Sequence, residues 1–232
     1  PCERDDETYP VELWYQTHVQ AAFLPDDLKL MIDGFKGSTY TLFVNGGEVT
    51  ETPVRSYLDA EMKVVPLTPY FREGDNVITV RLTVTKKSDG MTDLLKIIGS
   101  FGVEERDGRE TIVPAPAALR TGDWNKQKLP YYSGTGWYTA KVCLTAEDLS
   151  RKLMLKADIG RDVLLIRVNG QDAGTRLWKP YAADLTPLLH EGENTIELGV
   201  VNTLMNLLES SHTPSGLMSA ALIPYDRYEV EV

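Results

Sequence analysis

The stretch Arg176-Leu-Trp178-Lys-Pro-Tyr181-Ala-Ala-Asp184 gathers two aromatic rings, a guanidinium and a carboxylate within nine residues. A flat aromatic face covers the apolar side of a pyranose, and planar polar groups pair with its hydroxyls. Trp178, Tyr181, Arg176 and Asp184 are therefore the best local cluster for holding a sugar ring. Trp124, Tyr131 and Tyr132 form a second aromatic group, and Asn202 and Asn206 sit in a loop with Gly216 beyond. Trp124, Tyr132 and Asn202 join the candidate set from these. Each residue also has a purely structural reading. The 178–181 loop packs over a sandwich edge while Asp184 caps the next turn; the Trp124 group packs between domains; the asparagines satisfy loop backbone.

Catalysis finds less support. Glycoside hydrolysis needs two opposed carboxylates held across a cleft. Asp26-Asp27, Glu104-Glu105 and Glu147-Asp148 fall instead in turns or acidic surface runs, and no pair stands out. His18, His190 and His212 are isolated, with no adjacent nucleophile and no metal spacing, and read as surface or turn residues. No phosphate-binding or dinucleotide fingerprint is present. Cys2 and Cys143 are too few for a disulfide framework and lack metal-ligand spacing. No apolar segment precedes Cys2 that would mark it for a lipid.

The 232 residues suffice for one large domain or two small ones. With 24 Lys+Arg against 34 Asp+Glu, the net charge is −10, which argues against nucleic acid as a partner. The pair Lys86-Lys87 stands beside Ser88-Asp89 and reads as a solvated turn. Apolar runs reach four or five residues, as in Val163-Leu-Leu-Ile166, far short of the ~20 that span a bilayer. No signal peptide is visible at Pro1, and a mature or trimmed chain would show none.

The chain contains a repeat. Trp14-Tyr15-x-x-x-Val19 recurs as Trp137-Tyr138-x-x-x-Val142, and Lys29-Leu-Met31 as Lys152-Leu-Met154, both at an offset of 123. Val44-Asn-Gly46 recurs as Val168-Asn-Gly170 at 124. Pro66 to Asn76 matches Asp184 to Asn194 at 118, with six of eleven positions identical. Four colinear matches predict two copies of one module.

Both copies read as strands. Tyr40, Leu42 and Val44 alternate with polar neighbours, as do Ile78, Val80, Leu82 and Val84. Tyr138, Ala140, Val142 and Leu144 do the same in the second copy, as do Leu164, Ile166 and Val168. Period two with β-branched and aromatic enrichment marks half-buried strands. Asn45-Gly46 and Asn169-Gly170 supply the dipeptide of tight hairpin turns. Trp14 and Trp137 fall on the face opposite the core stripe, and helical periodicity is weak except at Thr203–Ser210. The expected fold is all-β: two tandem antiparallel β-sandwich modules at 8–106 and 123–232, joined by a short semi-stiff connector at 107–122.

Trp178-Lys-Pro-Tyr181-x-x-Asp184-Leu-Thr-x-x-Leu-x-x-Gly192-x-Asn194, after Val168-Asn-Gly170-x-x-x-Gly174, resembles the sugar-binding jelly-roll domain of family 2 glycoside hydrolases. Gly122-Asp-Trp124, Pro130-Tyr-Tyr-Ser-Gly134-Thr-x-x-Tyr138 and Gly216-Leu-Met218 more closely resemble the C-terminal galactose-binding-like modules of bacterial α-L-rhamnosidase-type enzymes. The resemblance covers the second copy nearly end to end and the first more loosely. The first copy has Val65-Pro66 where the second has Ala183-Asp184, and nothing like Trp178-Lys-Pro-Tyr181. The resemblance implies a non-catalytic, secreted or periplasmic piece of a larger glycoside hydrolase, with a glycan and the parent catalytic domain as partners. It implies no organic cofactor and allows a structural calcium held largely by backbone oxygens. A stand-alone lectin and a protein–protein scaffold module are the alternatives.

Overall fold

A computed structural model describes residues 8–225, so Cys2 lies outside the described residues. The chain divides into two compact units between Ala115 and Pro116. In the first, twelve strands follow in order: β1 (Val11–Ala21), β2 (Lys29–Ile32), β3 (Phe35–Lys36), β4 (Thr39–Val44), β5 (Gly47–Glu48), β6 (Val54–Arg55), β7 (Lys63–Pro66), β8 (Gly74–Val84), β9 (Gly90–Met91), β10 (Lys96–Ile98), β11 (Gly102–Arg106) and β12 (Arg109–Val113). In the second come β13 (Thr135–Leu144), β14 (Lys152–Asp158), β15 (Val163–Val168), β16 (Gln171–Arg176), β17 (Ala182–Asp184), β18 (Gly192–Val201), helix α1 (Met205–Glu209) and β19 (Ser219–Tyr225).

The first unit is a sandwich of two sheets, ordered β11-β12-β1-β8-β4-β5 and β10-β2-β7-β6. Strand β8 shows why: Asn76, Ile78, Val80, Leu82 and Val84 alternate inward and are buried. They meet Leu30 and Val65 from the second sheet in one core. The second unit packs β13-β18-β15-β16 over β17-β14-β19. Its core joins Leu164, Ile166, Ile196, Leu198 and Val200 of one sheet to Leu155 and Ala183 of the other. The pairings are antiparallel except β1 with β12, which is parallel. The expected helical stretch appears as the single turn of α1.

The two hairpin turns form as their dipeptides require. Asn45 and Gly46 have φ of 52° and 82°, and Asn169 and Gly170 have 52° and 78°. Only Gly, and less often Asn, adopts this region without strain, which is why the dipeptide reads so well in sequence.

The first part of the expected 107–122 connector, through Val113, is built into the first unit. Asp107-Gly108 turns the β11–β12 hairpin, with both φ positive. Thr111, Ile112 and Val113 are buried, and Ile112 O accepts from Ala22 N at 2.8 Å. Two prolines and many charges disguise this strand, whose short apolar run is recognised only by the partner it lies along. One match in the repeat also moves. Strand pairing sets Lys29 opposite Pro66 and Met154 opposite Asp184. With Pro66 matched to Asp184, Lys29 corresponds to Met154, two residues from the sequence match. A two-residue slip keeps the same side chains facing inward, so the alternation cannot reveal it.

Candidate functional site

The loop between β16 and β17 is fixed at both ends. Arg176 Nε donates to Ala182 O at 2.7 Å and its Nη1 to Thr175 O at 3.1 Å, so the guanidinium ties the two strands together. Tyr181 is only 5% exposed; its hydroxyl donates to Asp162 O at 2.7 Å and its ring lies in the core. Its carbonyl accepts from Ala157 N at 2.9 Å. Between these anchors Trp178 stands 73% exposed beside exposed Leu177. The Lys179–Pro180 peptide is cis.

Asp184 caps the following turn, accepting from Thr186 N at 3.0 Å and from the Tyr225 hydroxyl at 2.7 Å. Its pKa is lowered: burial pushes it up, but the Thr186 and Tyr225 hydrogen bonds outweigh that. The cluster thus resolves into a scaffold, Arg176, Tyr181 and Asp184, and one displayed ring, Trp178. Tyr181 is corrected as a sugar contact: a phenol in an amphipathic loop goes inward when its hydroxyl finds a buried acceptor.

Trp124 is corrected as well. It is fully buried, with Nε1 donating to the Tyr138 hydroxyl at 2.7 Å. Gly136 and Gly216 lie against its ring, where a Cβ on either would come within 2.4 and 2.7 Å. Tyr132 meets Trp124 edge to face at 5.4 Å and donates to Thr135 O at 3.2 Å. Asn202 clamps the same turn, donating to Tyr132 O at 2.7 Å and accepting from Gly134 N at 2.8 Å. These three hold the start of β13. Asn206 is likewise buried, held by Ser211 and Thr213.

Three of the acidic residues weighed for catalysis serve local structure. Asp27 accepts from Ser100 N and Oγ, Glu104 pairs with Arg106, and Asp148 accepts from Thr145 N and Oγ. His18 bonds Asp75 at 2.8 Å on the surface, His190 bonds Glu191 O, and His212 lies beside Tyr131. Cys143 is exposed. Among the described residues no three His, Cys, Asp or Glu side chains converge as metal ligands.

Sequence reasoning missed Asp162, which is 5% exposed. Its carboxylate accepts from Ser215 Oγ at 2.6 Å and Gly216 N at 3.2 Å, locking that segment beneath Trp124. Burial raises its pKa, and the two hydrogen bonds offset this only in part. Nothing in the sequence around Gly160-Arg-Asp162 announces a buried acid, because its donors lie over fifty residues away.

The outer sheet faces carry two further exposed indoles. Trp137 lies flat over Gly199, with the Arg167 guanidinium 4.6 Å from its ring centre. Trp14 stacks on Phe43 at 6.1 Å, with Arg81 within 6 Å of both rings, at 5.8 and 5.9 Å.

No protein-family model matches the chain, and no curated protein matches it. Among solved structures it is similar to a rhamnosidase from Novosphingobium sp. PP1Y, 21% identical over 83% of this chain and 21% of that one, with a TM-score of 0.36. A Streptomyces avermitilis α-L-rhamnosidase complexed with L-rhamnose is 15% identical over 83% of this chain and 22% of its own, also at 0.36. A lectin from Pleurotus ostreatus is 10% identical over 94% of this chain and 76% of its own, at 0.26. The chain spans about a fifth of the length of the two rhamnosidases. Among the described residues no helix is long and apolar enough to cross a membrane.

Proposed function

We propose that the chain is a non-catalytic, glycan-binding part of a larger secreted or periplasmic glycoside hydrolase, made of two tandem galactose-binding-like modules beside or extending its glycan cleft. The observation that carries this reading is Trp178, an exposed indole on a loop anchored by Arg176 and Tyr181. A sugar ring stacking there would meet a surface that loses little freedom on binding, which is what makes weak stacking count. The matching hydrogen-bonded turns in the two units support the tandem-module part of the reading.

The test is binding of the full chain to a panel of plant and bacterial polysaccharides by affinity electrophoresis and calorimetry. Trp178→Ala should weaken binding about tenfold or more while leaving the far-ultraviolet spectrum and unfolding midpoint unchanged. Binding that survives Trp178→Ala defeats the loop as the glycan contact, and no binding to any glycan defeats the whole reading and leaves a scaffold. Whether the module acts alone or beside a catalytic barrel is decided by the coding sequence upstream of Pro1.

A further inference from the structure

We infer that the first unit carries its own cleft for a single uncharged sugar ring; this rests on the glycan reading above but places the ligand on different residues. A cavity of about 300 Å³ opens between β4 and the segment 49–53. That is the lower end of the ~300–1,000 Å³ range of ligand pockets, and it suits one ring rather than an oligosaccharide. Leu42 and Val65 form an aliphatic floor, and Tyr40, Thr50, Glu48 and Glu51 stand around it.

Tyr40 shows that the space is real and uncovered. It shares the inward face of β4 with Leu42 and Val44, which are 4% and 2% exposed, yet Tyr40 itself is 36% exposed. Its ring is held edge-on against Phe35 at 4.9 Å. Glu51 is fixed too. The Tyr70 hydroxyl donates to its Oε2 and accepts from Thr50 N at 3.3 Å. No hydrogen bond to the other oxygen, Oε1, is among those of the described residues.

The second unit shows what would close such a space. Strand register matches Tyr40 with Leu164 and Val65 with Ala183. There Tyr181 is buried in the same core cluster as Leu164 and Ala183. The first unit takes a longer path, 66 − 44 = 22 positions from Val44 to Pro66 against 184 − 168 = 16 from Val168 to Asp184. Its extra residues skirt the space instead of plugging it.

The lining selects the ligand. An aliphatic floor with an aromatic edge meets the C–H face of a pyranose, while threonine hydroxyls and carboxylates pair with its hydroxyls. Two carboxylates and no lysine or arginine line the cleft, so a uronic acid or a phosphate is repelled.

The experiment is 1H–15N correlation spectroscopy of the full chain titrated with methyl β-D-glucoside, methyl β-D-galactoside and methyl β-D-glucuronide. Saturable shifts at Thr41, Thr50 and Glu51 are expected from a neutral glycoside, with the glucuronide at least tenfold weaker. Glu51→Gln, which keeps an acceptor for Tyr70, should weaken binding about tenfold. Thr52→Trp, at an exposed lining position, should abolish it by filling the cleft. Trp178→Ala should leave these shifts unchanged. Shifts confined to the surroundings of Trp178, no shifts from any of the three probes, or unchanged binding in both cleft variants overturn the inference. Polysaccharide binding that ignores Trp178 while the cleft shifts persist would defeat the loop reading alone.

Discussion

Asn76 in the first unit and Asn194 in the second are both fully buried and hold their turns in the same way. Asn76 accepts from Asn45 Nδ2 and Arg72 N and donates to Arg72 O and Gly74 O. Asn194 accepts from Asn169 Nδ2 and His190 N and donates to His190 O and Gly192 O. The outer sheet faces tell the opposite story. Strand register matches Trp14, Phe43 and Arg81 with Trp137, Arg167 and Gly199. One indole stacks on a phenyl ring, and the other lies flat on a glycine beneath a guanidinium. A buried polar cluster has to satisfy every member, so few arrangements serve. A solvated aromatic has many adequate neighbours, so its surroundings are free to diverge.

The comparison is broken most severely at the asparagines. Asn76→Ala and Asn194→Ala each remove four part-buried hydrogen bonds made by a fully buried side chain and should each cost about 2–4 kcal/mol of unfolding free energy. Urea denaturation should give costs that agree within about 1 kcal/mol if the two turns are energetically equivalent. A large inequality would show that shared geometry hides different support.

A smaller effect is expected at Gly199. A Cβ there would stand 3.0–3.1 Å from three atoms of the Trp137 ring, so Gly199→Ala should lift the indole at a cost of about 0.5–1 kcal/mol. Its emission, isolated by difference against Trp137→Phe, should move to the red. No spectral change would mean the ring does not rest on the glycine.

The smallest effect is a slope. One residue before the matched strands, Asp162 stands where the first unit has Ser38. Burial raises the folded pKa of Asp162 above its unfolded value, so the folded state holds that proton more tightly. This contribution favours folding at pH below the ordinary carboxylate range and is lost as pH rises through the raised value. Asp162→Asn should flatten that part of the stability profile from acid to neutral pH, as read from denaturation midpoints. An unchanged profile would show that the acid ionises freely in the folded chain.

Much of this arrangement was legible in the residues. The alternation of Ile78, Val80, Leu82 and Val84 placed an inward face correctly, and the two Asn-Gly pairs marked hairpins. The candidate site was legible only as a neighbourhood. Sequence placed Trp178 and Tyr181 together but could not say that one ring points to solvent and the other into the core. Tyr40 misled in the reverse sense: its inward position was right, and its exposure followed from what the opposite sheet fails to cover.

What the sequence determined by itself is therefore local and periodic: strand faces, hairpin turns and the two runs ending in Asn76 and Asn194. These follow from backbone preferences and from a repeat of two, both set by neighbours along the chain. What only the tertiary structure decided is which polar and aromatic groups are spent inside. Asp162 meets Ser215 and Trp124 meets Gly216 across long stretches of chain, and burial is a property of those distant partners. The same physics leaves Trp178 displayed and a cleft open beside Tyr40.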